Sequence, residues 1–263
     1  MMIRTSDHGP GHRLGRMIFS CLALALASCA HAAPPIRPCV ELSPEVVPPN
    51  PCAVADSDCG ERLAFVRRMA ASTVNIHVTS YDAAAGVTYR AGTGTVIDGR
   101  GTVLTAYHVV RDPLREIVVV GTRRLHDDGS NFVSLRHVPM TVVAVEPTLD
   151  VALLQPAVSG ERLPAPLPLR RSPAPSVGDR LWHFGHVSHW QYGTVVRVDQ
   201  SNSGIAGLTE VDFSCRHGDS GGPFVTPAGE LVGVLLSMSG SVDGRGTTFF
   251  LPLDDALDAL GYP

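Results

Sequence analysis

Residues 216–223 read Arg216-His217-Gly218-Asp219-Ser220-Gly221-Gly222-Pro223, one hydroxyl set among three glycines beside an acid. Serine in a glycine-rich tight turn is commonplace. The stretch gains meaning only if a base and an orienting acid stand elsewhere in a usable order. Gly218 to Gly222 also fits Gly-x-Ser-x-Gly, a sharp strand-to-helix elbow that exposes a nucleophilic serine. That geometry needs its histidine after the serine. No histidine follows His217, so the elbow fails and any partner lies upstream.

Serine is a poor nucleophile until a neighbouring base takes its proton, and the base needs a third group to fix its tautomer. Of the 11 histidines, His108 stands in VLTAYHVV, at the end of an apolar strand where the chain should turn. Asp150 stands in PTLDVALLQ, just ahead of another apolar run. An acid beside a buried run is costly unless paired, so it has reason to face a partner. Taken singly, His108 reads as a satisfied core histidine and Asp150 as a solvated strand entry. The order His108, Asp150, Ser220 suits one known geometry, with base and acid ahead of the nucleophile.

Outward from these residues the pattern is that of short strands. ERLAFVRRMAA (61–71) suits one amphipathic helix, with Leu63, Phe65 and Val66 on its apolar side. Val74, Ile76 and Val78 then alternate with polar residues. VTYRAGTGTVID, TVLTAY, EIVVV, HVPMTVVAVE and VALLQ follow between Gly, Asp and Pro, as in an all-β barrel or sandwich. The proline-rich stretch 159–179 interrupts the series, since a sheet interior tolerates proline poorly. LWHFG, GTVVRVD, LTEVDF, GPFVT, ELVGVLLS and TTFFLP form a second series, and DDALDAL reads as a terminal helix. Two β series about a linker imply two barrels. The expected organisation is a signal peptide over 1–28 and a Pro/Cys-rich segment over 29–60. An N-terminal barrel over 61–165 follows, then a C-terminal barrel with its helix over 166–263.

In this order, GTGTVIDGRGTVLTAYHVV, LDVALLQ, HGDSGGP, GELVGVLLS and TTFFLPLDDAL resemble the landmarks of trypsin-like serine proteases of the chymotrypsin clan. The resemblance runs from Ser72 to Leu260 and is nearer the bacterial HtrA-like branch, here without a PDZ domain. It implies two six-stranded antiparallel barrels with a short C-terminal helix. It makes His108 the general base, Asp150 its orienter and Ser220 the acyl-forming nucleophile. The N–H groups of Gly218 and Ser220 would form the oxyanion hole. Phe213 and Ser214 would lie at the base of the specificity pocket, with Leu236, Ser237 and Met238 as walls. No acid holds the usual basal position, so small or medium apolar side chains are expected there. Tyr107 replaces a residue usually small in the family, which implies crowded or altered surroundings for the histidine. Asp219 is expected to find an arginine such as Arg216, because no IVGG-like start is visible.

Composition narrows the class. The chain has 263 residues, 44% apolar and 17% charged, with a net charge of −4 and no basic run, which excludes a nucleic-acid surface. All 21 basic residues are arginine, so no mechanism can use a lysine base. The absence of lysine suggests a GC-rich bacterial gene. Arg13 and Arg16 precede the apolar run Met17 to Ala27, the pattern of a secretory signal. AHA (30–32) suits a conventional cleavage site. LASC (26–29) resembles the bacterial lipobox and is preferred, with Cys29 receiving lipid. Export to the periplasm, with or without a lipid anchor in the envelope, is expected, and secretion is the alternative.

Export leaves Cys39, Cys52, Cys59 and Cys215 in an oxidising compartment, where two disulfides and three connectivities are open. The family's usual downstream partner of Cys215 is missing, so a bond from Cys215 to the N-terminal segment is expected. Zinc is disfavoured there because no Cys-x-x-Cys pair occurs. His183, His186 and His189 repeat every third residue, a spacing suited to a helix, but stand in strand and turn surroundings. No metal or cofactor is therefore expected. His217 reads as a substrate contact at the rim or an exposed side chain. The expected partners are protein or peptide substrates, without nucleic acid and with a membrane only through lipid on Cys29. Two other functions stay open: a catalytically silent or latent binding protein on the same fold, and an esterase using the same triad.

Overall fold

The computed structural model describes residues 59–82, 86–111, 116–125, 132–240 and 246–263. The expected signal peptide, Cys29, Cys39 and Cys52 lie outside them, as does the side chain of Cys59.

A helix, α1 (Cys59–Ser72), precedes six strands: β1 (Thr73–Asp82), β2 (Gly86–Val96), β3 (Val103–Ala106), β4 (Glu116–Leu125), β5 (Phe132–Glu146) and β6 (Val151–Pro156). They close into an antiparallel barrel in the order β1-β2-β3-β6-β5-β4. A second closed barrel takes β7 (Arg180–Phe184), β8 (Trp190–Asn202), β9 (Ile205–Val211), β10 (Pro223–Val225), β11 (Leu231–Ser239) and β12 (Thr247–Pro252) in the order β10-β11-β12-β9-β8-β7. The last helix is α2 (Leu253–Ala259). Both expected strand series are present.

Alternation explains the first barrel. Val74, Ile76 and Val78 of β1 and Val118 and Val120 of β4 are buried, so every second residue points inward. Asn75, His77, Gly121 and His137 therefore share the outer face. The cross-strand register pairs His77 with Val119, and both Asn75 and His137 with Gly121. In the second barrel Phe224 and Phe250 stack at 4.3 Å within a cluster that includes Leu181, Val195, Val211 and Cys215.

The linker between barrels bonds to both. The Leu167 N–H donates to the Val96 carbonyl of β2, at 3.1 Å. Leu231 of β11 donates to Pro168 at 2.7 Å and accepts from Arg170 at 2.9 Å. The last residue of α1, Ser72, donates its hydroxyl to the linker carbonyl of Ala165 at 2.7 Å, and Phe65 of α1 meets Trp182 and Phe184 of β7, at 5.3 and 6.2 Å between ring centroids.

Candidate active site

Strand β3 ends at Ala106, and a single 3-10 turn, Tyr107–Val109, carries His108 out of the sheet. The turn is tied to the β5–β6 connection, where the Tyr107 N–H donates to the Asp150 carbonyl at 2.8 Å. Asp150 sits at φ +57°, a left-handed conformation that costs energy for a residue with a side chain, though least for Asp and Asn. That conformation goes with a two-point hold on the histidine. Oδ1 accepts the His108 N–H at 2.7 Å, and Oδ2 lies 2.5 Å from ring Nδ1. With its proton on Nδ1, the ring presents the Nε2 lone pair as acceptor. The His108 side chain is 36% exposed and that of Asp150 15%.

The Tyr107 hydroxyl donates to the Arg111 carbonyl at 2.6 Å.

The Gly218–Ser220 turn is held from two sides. Thr93 of β2 donates its N–H to the Ser220 carbonyl and its hydroxyl to the Gly218 carbonyl, both at 2.8 Å. The same hydroxyl accepts the His186 N–H at 2.9 Å. Gly221, at φ +84°, follows so closely that a Cβ there would lie 2.2 Å from the Thr93 carbonyl oxygen. Only glycine fits both the conformation and the space. Below the turn Asp219 is fully buried. Oδ1 accepts the N–H groups of Val187 (2.8 Å) and Ser188 (3.0 Å), and Oδ2 accepts the Arg216 N–H (2.8 Å) and the Ser188 hydroxyl. Main-chain N–H groups and a hydroxyl thus take the place of the expected guanidinium. An acid with four donors is stable in the interior without a counter-charge.

Gly218, at φ +103°, leaves its N–H and that of Ser220 without an acceptor among the described residues. Donors in that state can receive a developing oxyanion. Ser220 Oγ makes no hydrogen bond to His108 Nε2 among the described residues. A cavity of about 490 Å³ adjoins His108 and Asp150, lined also by Leu236 and Ser237, by Pro147 and Thr148, and by Ser203, Gly204 and Ile205 of the β8–β9 turn. The Phe213 ring stacks 5.8 Å from Phe224 and lies 6.2 Å from His183. Ser214 is exposed and faces Gly246, while Met238 is half-buried on β11. Thr93 and the β8–β9 turn were missed by sequence reasoning. Thr93 lies within the GTGTV landmark, but its hydroxyl's partners are more than 90 residues away.

Cys39, Cys52 and the side chain of Cys59, the expected partners of Cys215, lie outside the described residues. Among the described residues Cys215 is a free thiol, 4% exposed, within the aliphatic and aromatic cluster of the second barrel. Burial, and then the nearby Asp219, push its pKa well up, so it is an inert thiol. His183 and Asp219 lie beside it, with possible ligand atoms within 4.8 Å of one another. Both Asp219 oxygens are already taken by the four donors above, and an ion would strip that loop of its anchor. The three histidines of HFGHVSH separate. His183 is fully buried, His186 turns toward the first barrel, and His189 ends the turn at φ +60°. His217 is exposed. Burial, and then His137, lower the pKa of His77.

A model of the trypsin-like peptidase domain matches residues 92–234. The chain is 28% identical over 222 residues to the serine endoprotease DegS of Salmonella typhimurium, covering 77% of this chain and 58% of that protein. It is 30% identical over 176 residues to a probable periplasmic serine endoprotease DegP-like of Pseudomonas putida, covering 64% and 33%. The chain thus spans three-fifths or less of these relatives. Among solved structures, the HtrA-type protease AlgW with tripeptide shares the fold at a TM-score of 0.58 and 23% identity, over 74% of this chain and 61% of that one.

Proposed function

Because the chain belongs to the trypsin-like peptidase family, we propose that it is an exported serine endopeptidase working through an acyl-enzyme on Ser220. The observation that carries the proposal is the double hold of Asp150 on His108, through ring and backbone. Ser220 Oγ attacks the scissile carbonyl as His108 Nε2 takes its proton. The carbonyl oxygen, now charged, moves between the N–H groups of Gly218 and Ser220. His108 returns the proton to the leaving amine, and water repeats the sequence to release the acid. Asp150 keeps the ring in the required tautomer and stabilises the imidazolium. Leu236, Ser237 and Ile205, beside His108, favour apolar residues next to the cut bond.

Export rests on the Met17–Ala27 run and on the periplasmic relative. Lipid on Cys29 remains the preferred mode of attachment.

One observation favours a latent form. The open Ser220–His108 pair, without a hydrogen bond among the described residues, suits an enzyme that closes its triad on meeting substrate. Incubating the purified protein with a fluorophosphonate probe and a peptide library, beside Ser220→Ala, tests both readings. Labelling and peptide cleavage that vanish in Ser220→Ala are expected. Labelling only after substrate-like peptide is added identifies the latent form. Ester hydrolysis without peptide cleavage would overturn the endopeptidase reading, and cleavage by Ser220→Ala would overturn the nucleophile.

A further inference from the structure

Three imidazoles from separated parts of the chain meet on the outer face of the first barrel. His77 of β1 and His137 of β5 stand on either side of β4, with ring centroids 5.7 Å apart. Between them β4 offers Gly121, so no side chain fills the gap. A Cβ at Gly121 would lie 3.6 Å from Nε2 of His77 and equally 3.6 Å from Nε2 of His137. Both nitrogens thus border one small space. The third ring, His186 of the β7–β8 connection, stands edge-on to His77 at 6.0 Å and 85°. Asn75, paired with Gly121 on the same face, has a buried Oδ1 with no hydrogen-bond partner among the described residues. Among the described residues, no carboxylate belongs to the group.

We propose that His77, His137 and His186 form a binding site for a borderline divalent transition-metal cation, for which Zn2+ is the probe. Imidazole nitrogens suit zinc, copper and nickel, and discriminate against calcium and magnesium, which demand oxygen. Zinc–nitrogen bonds of about 2.0–2.1 Å need the rings to pivot toward the shared gap. His137 is exposed and His77 and His186 half-buried, which leaves their rings room to turn. Asn75 Oδ1 or water completes the tetrahedron. The site joins β1 and β5 of one barrel to a loop of the other. That loop's His186 N–H bonds to Thr93, which in turn holds Gly218.

The experiment is a calorimetric Zn2+ titration of the chelator-treated full chain, beside His137→Ala, His186→Ala and Gly121→Ala. His137 is exposed and Gly121→Ala adds a methyl at ordinary contact distance, so both variants should fold. The wild type should bind one Zn2+ that each histidine variant loses or binds at least tenfold more weakly. Gly121→Ala should weaken the same site by filling the gap, and excess Ca2+ should not compete. Zn2+ left on cysteines outside the described residues would be common to all variants and cancel. Equal stoichiometry and affinity in wild type and His137→Ala would overturn the site, as would loss of the same equivalent in His108→Ala alone.

Discussion

The Thr93 hydroxyl receives the His186 N–H and donates to the Gly218 carbonyl, so its removal leaves two polar groups unpaired beside the proposed oxyanion donors. Thr93→Val keeps the shape and removes only the bonds. Catalysis that depends on preorganised donors should then lose about ten- to a hundredfold in kcat, with KM changed much less. Thr93→Ser, which restores the hydroxyl, should recover most of the loss. Steady-state kinetics on one peptide for the three proteins checks this, and an unchanged kcat in Thr93→Val would remove Thr93 as a positioning residue. The residues proposed to carry the chemistry were singled out by chain order, which discriminates between serine-hydrolase geometries. Thr93 was not, since a threonine in a strand announces no partner. For Cys215 the compartment argument speaks of redox state and not of position. Its surroundings, Leu181, Val195, Val211 and Phe224, were set by the barrel.

Among the elements, the β2–β3 turn has the best-defined electrostatics. Asp98 accepts from the N–H and hydroxyl of Thr102, from the Arg100 main chain and guanidinium, and from the Tyr262 hydroxyl. Burial alone would raise its pKa, but Thr102 above all, then Arg100 and Tyr262, outweigh it and hold the carboxyl at about 2. A group with a depressed folded pKa stabilises the fold above its unfolded value near 3.8 and loses that contribution as pH falls toward 2. The contribution is on the order of 1–2 kcal/mol after allowing for solvent screening. Asp98→Asn should therefore lower stability to urea at pH 7 by about that amount, and the difference from wild type should shrink by pH 2.5. A constant difference across that range would contradict the linkage. The turn's residues, Asp98-Gly99-Arg100-Gly101, were readable as a turn, but the bond from Tyr262 was not. The same limit hid the meeting of His77, His137 and His186. Each lies in its own segment, and only the register of β1 and β5 against β4 aligns the first two across Gly121.

On the scale of the whole molecule, the proposed active site belongs to neither barrel alone, with His108 and Asp150 on the first and Ser220 on the second. The two-barrel architecture was legible because the proline-rich stretch separates two strand series. How the barrels are fastened was not, because the ties at Leu167 and Thr93 are main-chain bonds and the bonds of one threonine hydroxyl, which no side-chain pattern announces. These ties matter for what a cut would do. Residues 157–160 are exposed, with Gly160 at φ +88°, and exposed loops of this kind are preferred sites of nicking. A break after Ser159 leaves Leu167 on the later fragment, still able to reach Val96 on the earlier one, and leaves Thr93 facing Ser220. Residues 1–159 and 160–263, co-expressed as two polypeptides, should therefore co-purify and label with fluorophosphonate, and neither should label alone. Separation of the halves on a sizing column would refute this. If they hold, the peptide bond across that loop is dispensable to the finished protein, which then amounts to a heterodimer whose two subunits happen to be translated as one.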